Sequence, residues 1–177
     1  MWGAWVLALG YFWLARPDEV SLWAGGAVVL AGLVIRGWAA GVLEKNRELA
    51  VSGPYAFTRN PLYLGSFVIG MGAVAAGGRP WIGAVFLVFF VMAYRAKMER
   101  EEGGLETRFG KGYHDYRSAV PAFLPRLTPY RPPGKAGHGA KRFSLARYVD
   151  NREWEAALGA VAAMTFLTIR AMGWPLG

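Results

Sequence analysis

The chain has 177 residues, of which 54% are hydrophobic and 18% are charged, and its net charge is +8 at neutral pH. Soluble domains carry about a quarter of charged residues, so this composition excludes an ordinary soluble enzyme and indicates an integral membrane protein. With no cysteine and two histidines, the chain offers no disulfide or thiolate, and we expect no metal site. Basic residues of membrane proteins concentrate in cytoplasmic loops, so we expect no nucleic-acid partner.

Apolar segments predict two membrane helices in the first part of the chain. Residues 2–15 are apolar but short for a span, and their aromatic residues favour a retained, interfacial or tilted helix over a cleaved signal peptide. Residues 20–43 predict a second span, which Arg36 interrupts. This arginine could snorkel to the interface or face the interior of the bundle, and we favour snorkelling.

Residues 62–78 and 81–94 predict a helical hairpin joined by a tight turn. The first helix is rich in small residues, which permit close approach by a neighbouring helix. Its Gly70-Met71-Gly72 stretch is interpreted as a packing notch rather than a fragment of a nucleotide-binding loop. The second helix is expected to continue beyond the membrane through charged residues up to position 102.

Charge is concentrated between residues 95 and 152, which contain 13 Lys and Arg against 6 Asp and Glu. The positive-inside rule places this region in the cytoplasm, and alternation of spans puts residues 44–60 on the same side. The protein is therefore expected in a membrane, namely the bacterial inner membrane, with its active site facing the cytosol.

The C-terminal half predicts three further features. Aromatic residues at Phe109, Tyr113 and Tyr116 have helical spacing, which predicts a helix lying on the membrane surface. Residues 130–142 predict a flexible basic linker against anionic lipid headgroups. Residues 154–174 predict a last apolar helix, capped by Asp150 or Asn151, with Glu153 and Glu155 in its first turn.

A loop followed by a helix start stands out at residues 52–65. Gly53-Pro54 predicts a turn, Asn60 is placed to cap a helix, and Pro61 fits the first helical position. The loop thus delivers Tyr55 and Arg59 to the free N–H groups of a helix, an arrangement suited to an anion.

Glu101 and Glu102 lie at the polar end of the hairpin's second helix. Adjacent residues on a helix point about 100° apart, so we expect at most one of them to line a given pocket. By themselves they could form a solvated face. Together with Arg59, a helix N-terminus and several tyrosines they predict a clamp for a zwitterion.

These segments resemble the integral-membrane methyltransferases that include isoprenylcysteine carboxyl methyltransferase and phospholipid (phosphatidylethanolamine) N-methyltransferases. The resemblance extends over residues 52–125. It is carried by an ordered set of motifs: Gly53-Pro54-Tyr55, Arg59-Asn60-Pro61, Tyr63, Gly65, Glu101-Glu102, Leu105, Phe109-Gly110, Tyr113, Tyr116, Val120-Pro121, Phe123 and Pro125.

The resemblance implies S-adenosylmethionine as methyl donor, S-adenosylhomocysteine as product, and a lipophilic acceptor that enters from the bilayer. Catalytic roles are expected for Arg59, Glu102 and Glu99, the last as one candidate proton acceptor. The residues expected to bind the cofactor are Tyr55, Arg59, Asn60, Pro61, Tyr63, Gly65, Glu101, Glu102, Tyr113 and Tyr116.

The resemblance leaves the acceptor open. Carboxyl methyltransferases of this group usually have histidine at the position of Asn60, which shifts the expectation slightly toward a lipid amine. The extension after Pro125 is not required by the family pattern, and it could cover the acceptor tunnel or add a packing helix. Two alternatives remain: a relative that is reductase-like or binds lipid without methylating it, and a structural membrane protein.

The sequence as a whole predicts an all-α, polytopic bundle of about five membrane helices with a cofactor pocket on its cytoplasmic side. Four segments are expected. They are residues 1–43 with the first two membrane helices, residues 44–128 as the methyltransferase core, residues 129–150 as the basic linker, and residues 151–177 as the C-terminal helix.

Overall fold

A computed structural model describes residues 9–45, 47–132 and 141–173. Every regular element in these ranges is helical, which confirms the all-α prediction. Residues 9–14 are helical, and the other elements are α1 (Glu19–Val42), a 3-10 turn (Gly53–Ala56), α2 (Pro61–Ala76), α3 (Trp81–Ala119), α4 (Leu145–Asp150) and α5 (Trp154–Ala171). Most of the predicted N-terminal helix, the middle of the basic linker and the last residue of the C-terminal helix lie outside the described residues.

Two of the described helices, α1 and α3, are long and apolar enough to cross a membrane. Helix α2 is apolar but has 16 residues, fewer than the roughly 20 that a perpendicular span needs. The total of about five membrane helices therefore stays a prediction. Helix α3 has 39 residues and contains one break, at Gly110, whose φ of 47° and ψ of −122° are not helical.

The chain divides into two compact units, and the first comprises Met1–Leu33, Phe67–Val91 and Glu155–Gly177. Within it, α1 and α2 approach so closely that a Cβ on Gly25 would lie 2.3 Å from the backbone nitrogen of Ala76. A Cβ on Gly72 would likewise lie 2.6 Å from the nitrogen of Val29. The interpretation of Gly70-Met71-Gly72 as a packing notch is confirmed.

The first unit also fixes the end of the N-terminal helical segment. The Tyr11 hydroxyl donates to the Ala73 carbonyl at 2.5 Å, and Arg170 of α5 donates to the carbonyls of Phe12 and Trp13 at 2.8 and 2.7 Å. Carbonyls at a helix end have no intrahelical partner, so Arg170 supplies the donors that they lack.

The second unit comprises Val34–Ser66 and Met92–Trp154. Residues 141–153, which we call the C-terminal strap, bind the carboxyl end of α1. The Asn151 amide donates to the carbonyls of Ala40 and Leu43, each at 3.0 Å, and Arg147 Nε donates to the Gly41 carbonyl at 2.7 Å. The predicted cap of the final helix by Asp150 or Asn151 is therefore wrong, because that helix begins at Trp154 and the Asn151 amide binds carbonyls of α1 instead.

A glycine in α1 makes room for the strap. A Cβ on Gly41 would lie 2.1 Å from the Phe143 ring, so only a glycine allows this ring to reach the helix backbone. Charges add to the attachment, since Glu44 accepts from Arg147 at 3.1 Å and from Lys141 at 2.9 Å. A hydrogen bond from Lys141 and the nearby cationic charges lower the pKa of the Glu44 carboxyl.

Candidate functional site

The loop that precedes α2 is fixed by backbone and side-chain hydrogen bonds. Its 3-10 turn begins at Gly53, whose φ of +59° lies in the left-handed region that glycine adopts without strain. Buried Thr58 donates to the Phe123 carbonyl at 2.9 Å, and the Arg59 amide donates to the Pro121 carbonyl at 2.9 Å. The loop is thus tied to the segment after α3, and this sets the direction in which Arg59 leaves the backbone.

Asn60 occupies the N-cap position of α2 in its backbone only. Its carbonyl accepts the first helical hydrogen bond, from Leu64 at 3.0 Å, and the helix begins at Pro61 as predicted. Its side-chain amide donates to the Ala122 carbonyl at 2.9 Å. The amide nitrogen therefore contributes to the tie between the loop and the segment after α3.

Arg59 contacts α3 on both sides of its break at Gly110. Its Nη1 is 2.9 Å from Glu102 Oε1 and donates to the Tyr113 hydroxyl at 3.2 Å. Its Nε is buried and receives no hydrogen-bond partner from the described residues. A buried guanidinium donor without an acceptor is costly, so this nitrogen is poised to bind an anionic oxygen.

Tyr63 and Glu101 form a second pair beside the first. The Tyr63 hydroxyl donates to Glu101 Oε1 at 2.5 Å, and Lys97 Nζ lies 5.3 Å from the centre of the Tyr63 ring. The ring also contacts Tyr94 edge-on, with 5.0 Å between centroids. Tyr63 is buried. Its hydroxyl holds the Glu101 carboxylate in place, and the Lys97 ammonium lies over its ring.

Both glutamates of the predicted pair line the same cavity, so the expectation that at most one would do so is wrong. The carboxylates do diverge, as adjacent helical positions must. They are met by two different partners, Arg59 in the loop and Tyr63 in the first turn of α2. Each carboxylate therefore has its own partner in the cavity wall.

The aromatic residues after position 105 face the protein interior rather than a membrane surface. Tyr113 and Tyr116 are buried and pack with Val120 and Phe109, and the Tyr116 hydroxyl donates to the Tyr55 carbonyl at 2.7 Å. The predicted surface helix is therefore wrong in its orientation. Helical spacing of aromatic residues identifies one face of a helix, but it does not tell whether lipid or protein covers that face.

Burial and charge set the pKa values of these tyrosines. Burial raises the pKa of Tyr113, the charge of Glu102 adds to that effect, and Arg59 opposes it. Burial likewise raises the pKa of Tyr55 well above its usual range, and the charges of Glu101 and Glu153 add to it. The hydroxyls therefore remain neutral hydrogen-bond donors at physiological pH.

Arg36 and Glu153 form an ion pair that the sequence analysis missed. Arg36 Nη2 lies 2.9 Å from Glu153 Oε2, Arg36 Nε contacts the other carboxylate oxygen, and Nη1 donates to the Leu62 carbonyl at 3.2 Å and to Ser66. Glu153 is 5% exposed. Snorkelling of Arg36 is therefore wrong, because its charge is neutralised inside the second unit.

A signal for this pair was present in the sequence. A charge in the middle of an apolar span generally has a partner, and Glu153 precedes the last apolar segment. Glu153 was instead assigned to the first turn of the final helix, so it was not considered as the partner of Arg36. The helix begins after it, at Trp154.

A cavity of about 700 Å³ lies within the second unit. Its volume falls in the range of roughly 300–1,000 Å³ that is typical of sites for small ligands and cofactors. The residues of the predicted site that line it are Tyr55, Arg59, Asn60, Pro61, Tyr63, Glu101, Glu102, Tyr113 and Tyr116.

Two residues of the predicted site are not brought to the cavity. Glu99 is largely exposed and pairs with Arg95, one turn away on α3, with 3.0 Å between Oε1 and Nε. Gly65 is buried in α2 but is not among the residues that line the cavity. The cavity is also lined by charged residues that were not predicted to belong to the site, notably Arg36, Lys97 and Glu153.

Comparison with known proteins identifies the family. The phospholipid methyltransferase family matches residues 22–112, which is more than half of the chain. The chain belongs to this family. Membership in the group of membrane methyltransferases, predicted from the motifs, is thereby confirmed. The family match contains Arg59, Tyr63 and both glutamates of the cavity, whereas Tyr113 and Glu153 lie beyond its end.

Individual relatives of this phospholipid methyltransferase family member fall into two groups. The cobalt-zinc-cadmium resistance protein CzcN of Cupriavidus metallidurans is 28% identical over 165 residues, which are 90% of this chain and 68% of that protein. The nickel-cobalt-cadmium resistance protein NccN of Alcaligenes xylosoxydans xylosoxydans is 32% identical over 120 residues, 62% of this chain and 55% of that protein.

The second group consists of protein-S-isoprenylcysteine O-methyltransferases. The protein from Mus musculus is 36% identical over 77 residues, which are 44% of this chain and 27% of that protein. This family member thus spans between 27% and 68% of the length of these relatives. No solved structure matches the chain.

Proposed function

We propose that this protein transfers a methyl group from S-adenosylmethionine to a lipophilic acceptor at the boundary between the membrane and the cytosol. The observation that carries the proposal is the convergence of Arg59 with Glu102, and of Tyr63 with Glu101, in one cavity of about 700 Å³. Family membership supports the same reaction class.

The residues of the cavity fit a zwitterionic, positively charged methyl donor. Arg59 Nε is a buried donor without a described partner, and a carboxylate of the ligand would supply the missing acceptor. Glu101 and Glu102 offer acceptors for an ammonium or for ribose hydroxyls. When bound, S-adenosylmethionine would supply an electrophilic methyl group on its sulfonium sulfur.

The chain's own residues would chiefly position groups and exclude water. Arg59 is held by Glu102, Tyr113 and its own backbone bond to Pro121, so its fork is fixed before any ligand arrives. Such preorganisation is what an in-line displacement with an already activated donor requires. If the acceptor is an ammonium, it must first lose a proton. Glu101 and Glu102 line the cavity, whereas Glu99 does not, so the proton acceptor is proposed among the first two.

The two relatives named for metal resistance do not lead us to a second function. Among residues 9–45, 47–132 and 141–173, no three His, Asp or Glu side chains lie close enough together to hold a metal ion. The metal-resistance functions for which CzcN and NccN are named are therefore not carried over to this chain.

Calorimetric titration of the purified protein in lipid nanodiscs with S-adenosylhomocysteine tests the cofactor. We expect a saturable isotherm. Its absence at millimolar ligand, for protein whose tryptophan fluorescence shows a cooperative thermal transition, would overturn the proposal. Incubation with a radiolabelled methyl donor and host extract, followed by separation of lipid and protein, identifies the acceptor fraction.

A further inference from the structure

The C-terminal strap has an inverted distribution of polar and apolar side chains. Its polar side chains bind the carboxyl end of α1. Arg147 Nε donates to the Gly41 carbonyl at 2.7 Å, and the Asn151 amide donates to the carbonyls of Ala40 and Leu43, each at 3.0 Å. A surface helix of a water-soluble protein turns its apolar stripe toward the protein and its polar side toward water. In the strap, the polar side faces the protein instead.

The apolar side chains of the strap are on its exposed side. Leu145 is 66% exposed and Val149 is 51% exposed, and they lie four positions apart in α4, which makes them neighbours on one helix face. Phe143, two residues before the helix, is 53% exposed. We call these three side chains the outer face of the strap. Exposed apolar surface of this kind beside charged residues, here Arg142 and Asp150, marks a contact with a partner or a membrane.

The contacts with α1 fix the direction of the outer face. Leu145 and Val149 each lie two positions from Arg147, which is about 200° around the helix axis. Because Arg147 is tied to the Gly41 carbonyl and to Glu44, with 3.1 Å between Nη1 and Oε1, both apolar side chains must point to the opposite side. Turning α4 to bury them would break these bonds. The outer face is therefore a built feature of the fold.

The level of the strap along α1 indicates what covers the outer face. Helix α1 is one of the two described helices that are long and apolar enough to cross a membrane, and the strap binds the carbonyls at its end. Trp38, which is 47% exposed, lies about one turn before that end. Tryptophan is enriched where a bilayer meets water. The strap therefore lies at the level of the membrane interface.

Exposed apolar surface on α1 reaches the same level. Val34 is 61% exposed and shares a helix face with Trp38, four positions later, so lipid-facing surface extends along α1 toward the strap. Helices that lie in a membrane interface bury their apolar face about 5–10 Å into the boundary between head groups and acyl chains. Lipid at this depth would cover the leucine and valine of α4, while the polar side of the strap remains bound to protein.

We propose that the outer face of the C-terminal strap is a lipid-contact surface, through which α4 lies in the membrane interface beside the end of α1. Its partner is the head-group and upper acyl region of the bilayer. The strap also supplies Asn151 and Glu153 to the cavity wall, so one short segment connects the membrane surface with the cavity. This contact needs no methyl donor and goes beyond the proposed function.

Site-directed fluorescence in lipid nanodiscs tests the contact. The chain has no cysteine, so a single cysteine can be introduced into the full chain and labelled with an environment-sensitive nitrobenzoxadiazole group. Leu145→Cys and Val149→Cys each place the label on the outer face. The nanodiscs contain phosphatidylcholine with a nitroxide either on the head group or deep in the acyl chain. We expect emission at shorter wavelength than in water, and stronger quenching by the head-group nitroxide than by the deep one.

Two further positions calibrate the measurement. Lys111→Cys, at a side chain that is 87% exposed, reports a label in water and is expected to emit at the longest wavelength with the least quenching. Val34→Cys, on the exposed side of α1, reports a label within the span and is expected to be quenched more by the deep nitroxide than by the head-group nitroxide. Because the outer face is sampled at two positions, either variant decides the question if the other does not fold.

Emission and quenching at the outer face equal to those of Lys111→Cys would overturn the proposal, because the strap would then face water. Emission at short wavelength that neither nitroxide quenches would also overturn it, since protein, such as a second copy of the chain, would then cover the outer face. Titration of the same samples with S-adenosylhomocysteine tests the proposed function separately. A protein that shows the lipid contact but does not bind this ligand contradicts the proposed function alone.

Discussion

Arg59 and Glu102 form an ion pair with 2.9 Å between Nη1 and Oε1, and both side chains are largely buried. The arginine comes from the loop before α2 and the glutamate from the middle of α3. Arg59 Nε has no hydrogen-bond acceptor among the described residues, so one donor of the guanidinium is left unpaired. A ligand carboxylate that accepted a hydrogen bond from this donor would contribute most to binding.

Arg59→Lys tests this position. Lysine keeps the charge but loses the planar fork, so it cannot hold Glu102 and a ligand carboxylate together. We expect the dissociation constant for S-adenosylhomocysteine to rise by roughly tenfold to a hundredfold, measured by calorimetry. Arg95→Lys, at a largely exposed position of α3, is the control and should leave it unchanged. Equal affinities for both variants would remove Arg59 from the binding site.

Tyr63→Phe tests the second pair. The substitution deletes the hydroxyl that binds Glu101 but keeps the ring beneath Lys97. Since Glu101 remains partly solvated, we expect a loss of about 1 kcal/mol in the free energy of unfolding, measured by denaturant titration in detergent. Tyr63→Ala removes the ring as well and should cost more. If the Phe variant is as unstable as the Ala variant, the hydroxyl rather than the ring accounts for the contribution of Tyr63 to the free energy of unfolding.

Gly25→Ala tests the contact between α1 and α2 in the first unit. The added methyl would lie 2.3 Å from the Ala76 nitrogen, a backbone atom that cannot rotate away. We expect a loss of about 1–3 kcal/mol or more, seen as a lower thermal midpoint of tryptophan fluorescence. Gly103→Ala is the control, because nothing lies within 4 Å of its Cβ in helix α3, and it should raise stability slightly. Equal midpoints for the two variants would contradict the close packing.

Acidification tests the attachment of the strap. The pKa of Glu44 is lowered from its ordinary value of 4.5, chiefly by the hydrogen bond from Lys141. A group with a lowered folded-state pKa contributes stability above its unfolded pKa and loses that contribution as pH falls through the folded value. The difference in thermal midpoint between wild type and Glu44→Gln should therefore be constant above about pH 5 and shrink at lower pH. A difference that does not depend on pH would contradict this role of the Glu44 charge.

The sequence by itself determined the helical class, the start of α2 at Pro61, and most of the motif residues that line the cavity. These features depend on local chemistry: runs of apolar residues, the missing N–H of proline, and residue types at fixed spacing. The packing notch at Gly72 was also predictable, because small residues within an apolar helix permit close helix contacts. The functional roles given to the motif residues remain predictions.

Only the tertiary structure decided which polar groups meet. The pair of Arg36 and Glu153 joins residues far apart in the sequence, and periodicity within one helix contains no information about such a partner. The same reason explains why Tyr113 and Tyr116, spaced as for a membrane surface, are covered by protein instead. It also explains why Asn151 binds carbonyls of α1 rather than capping its own helix. A side chain's partner depends on the packing of distant segments, which no local pattern specifies.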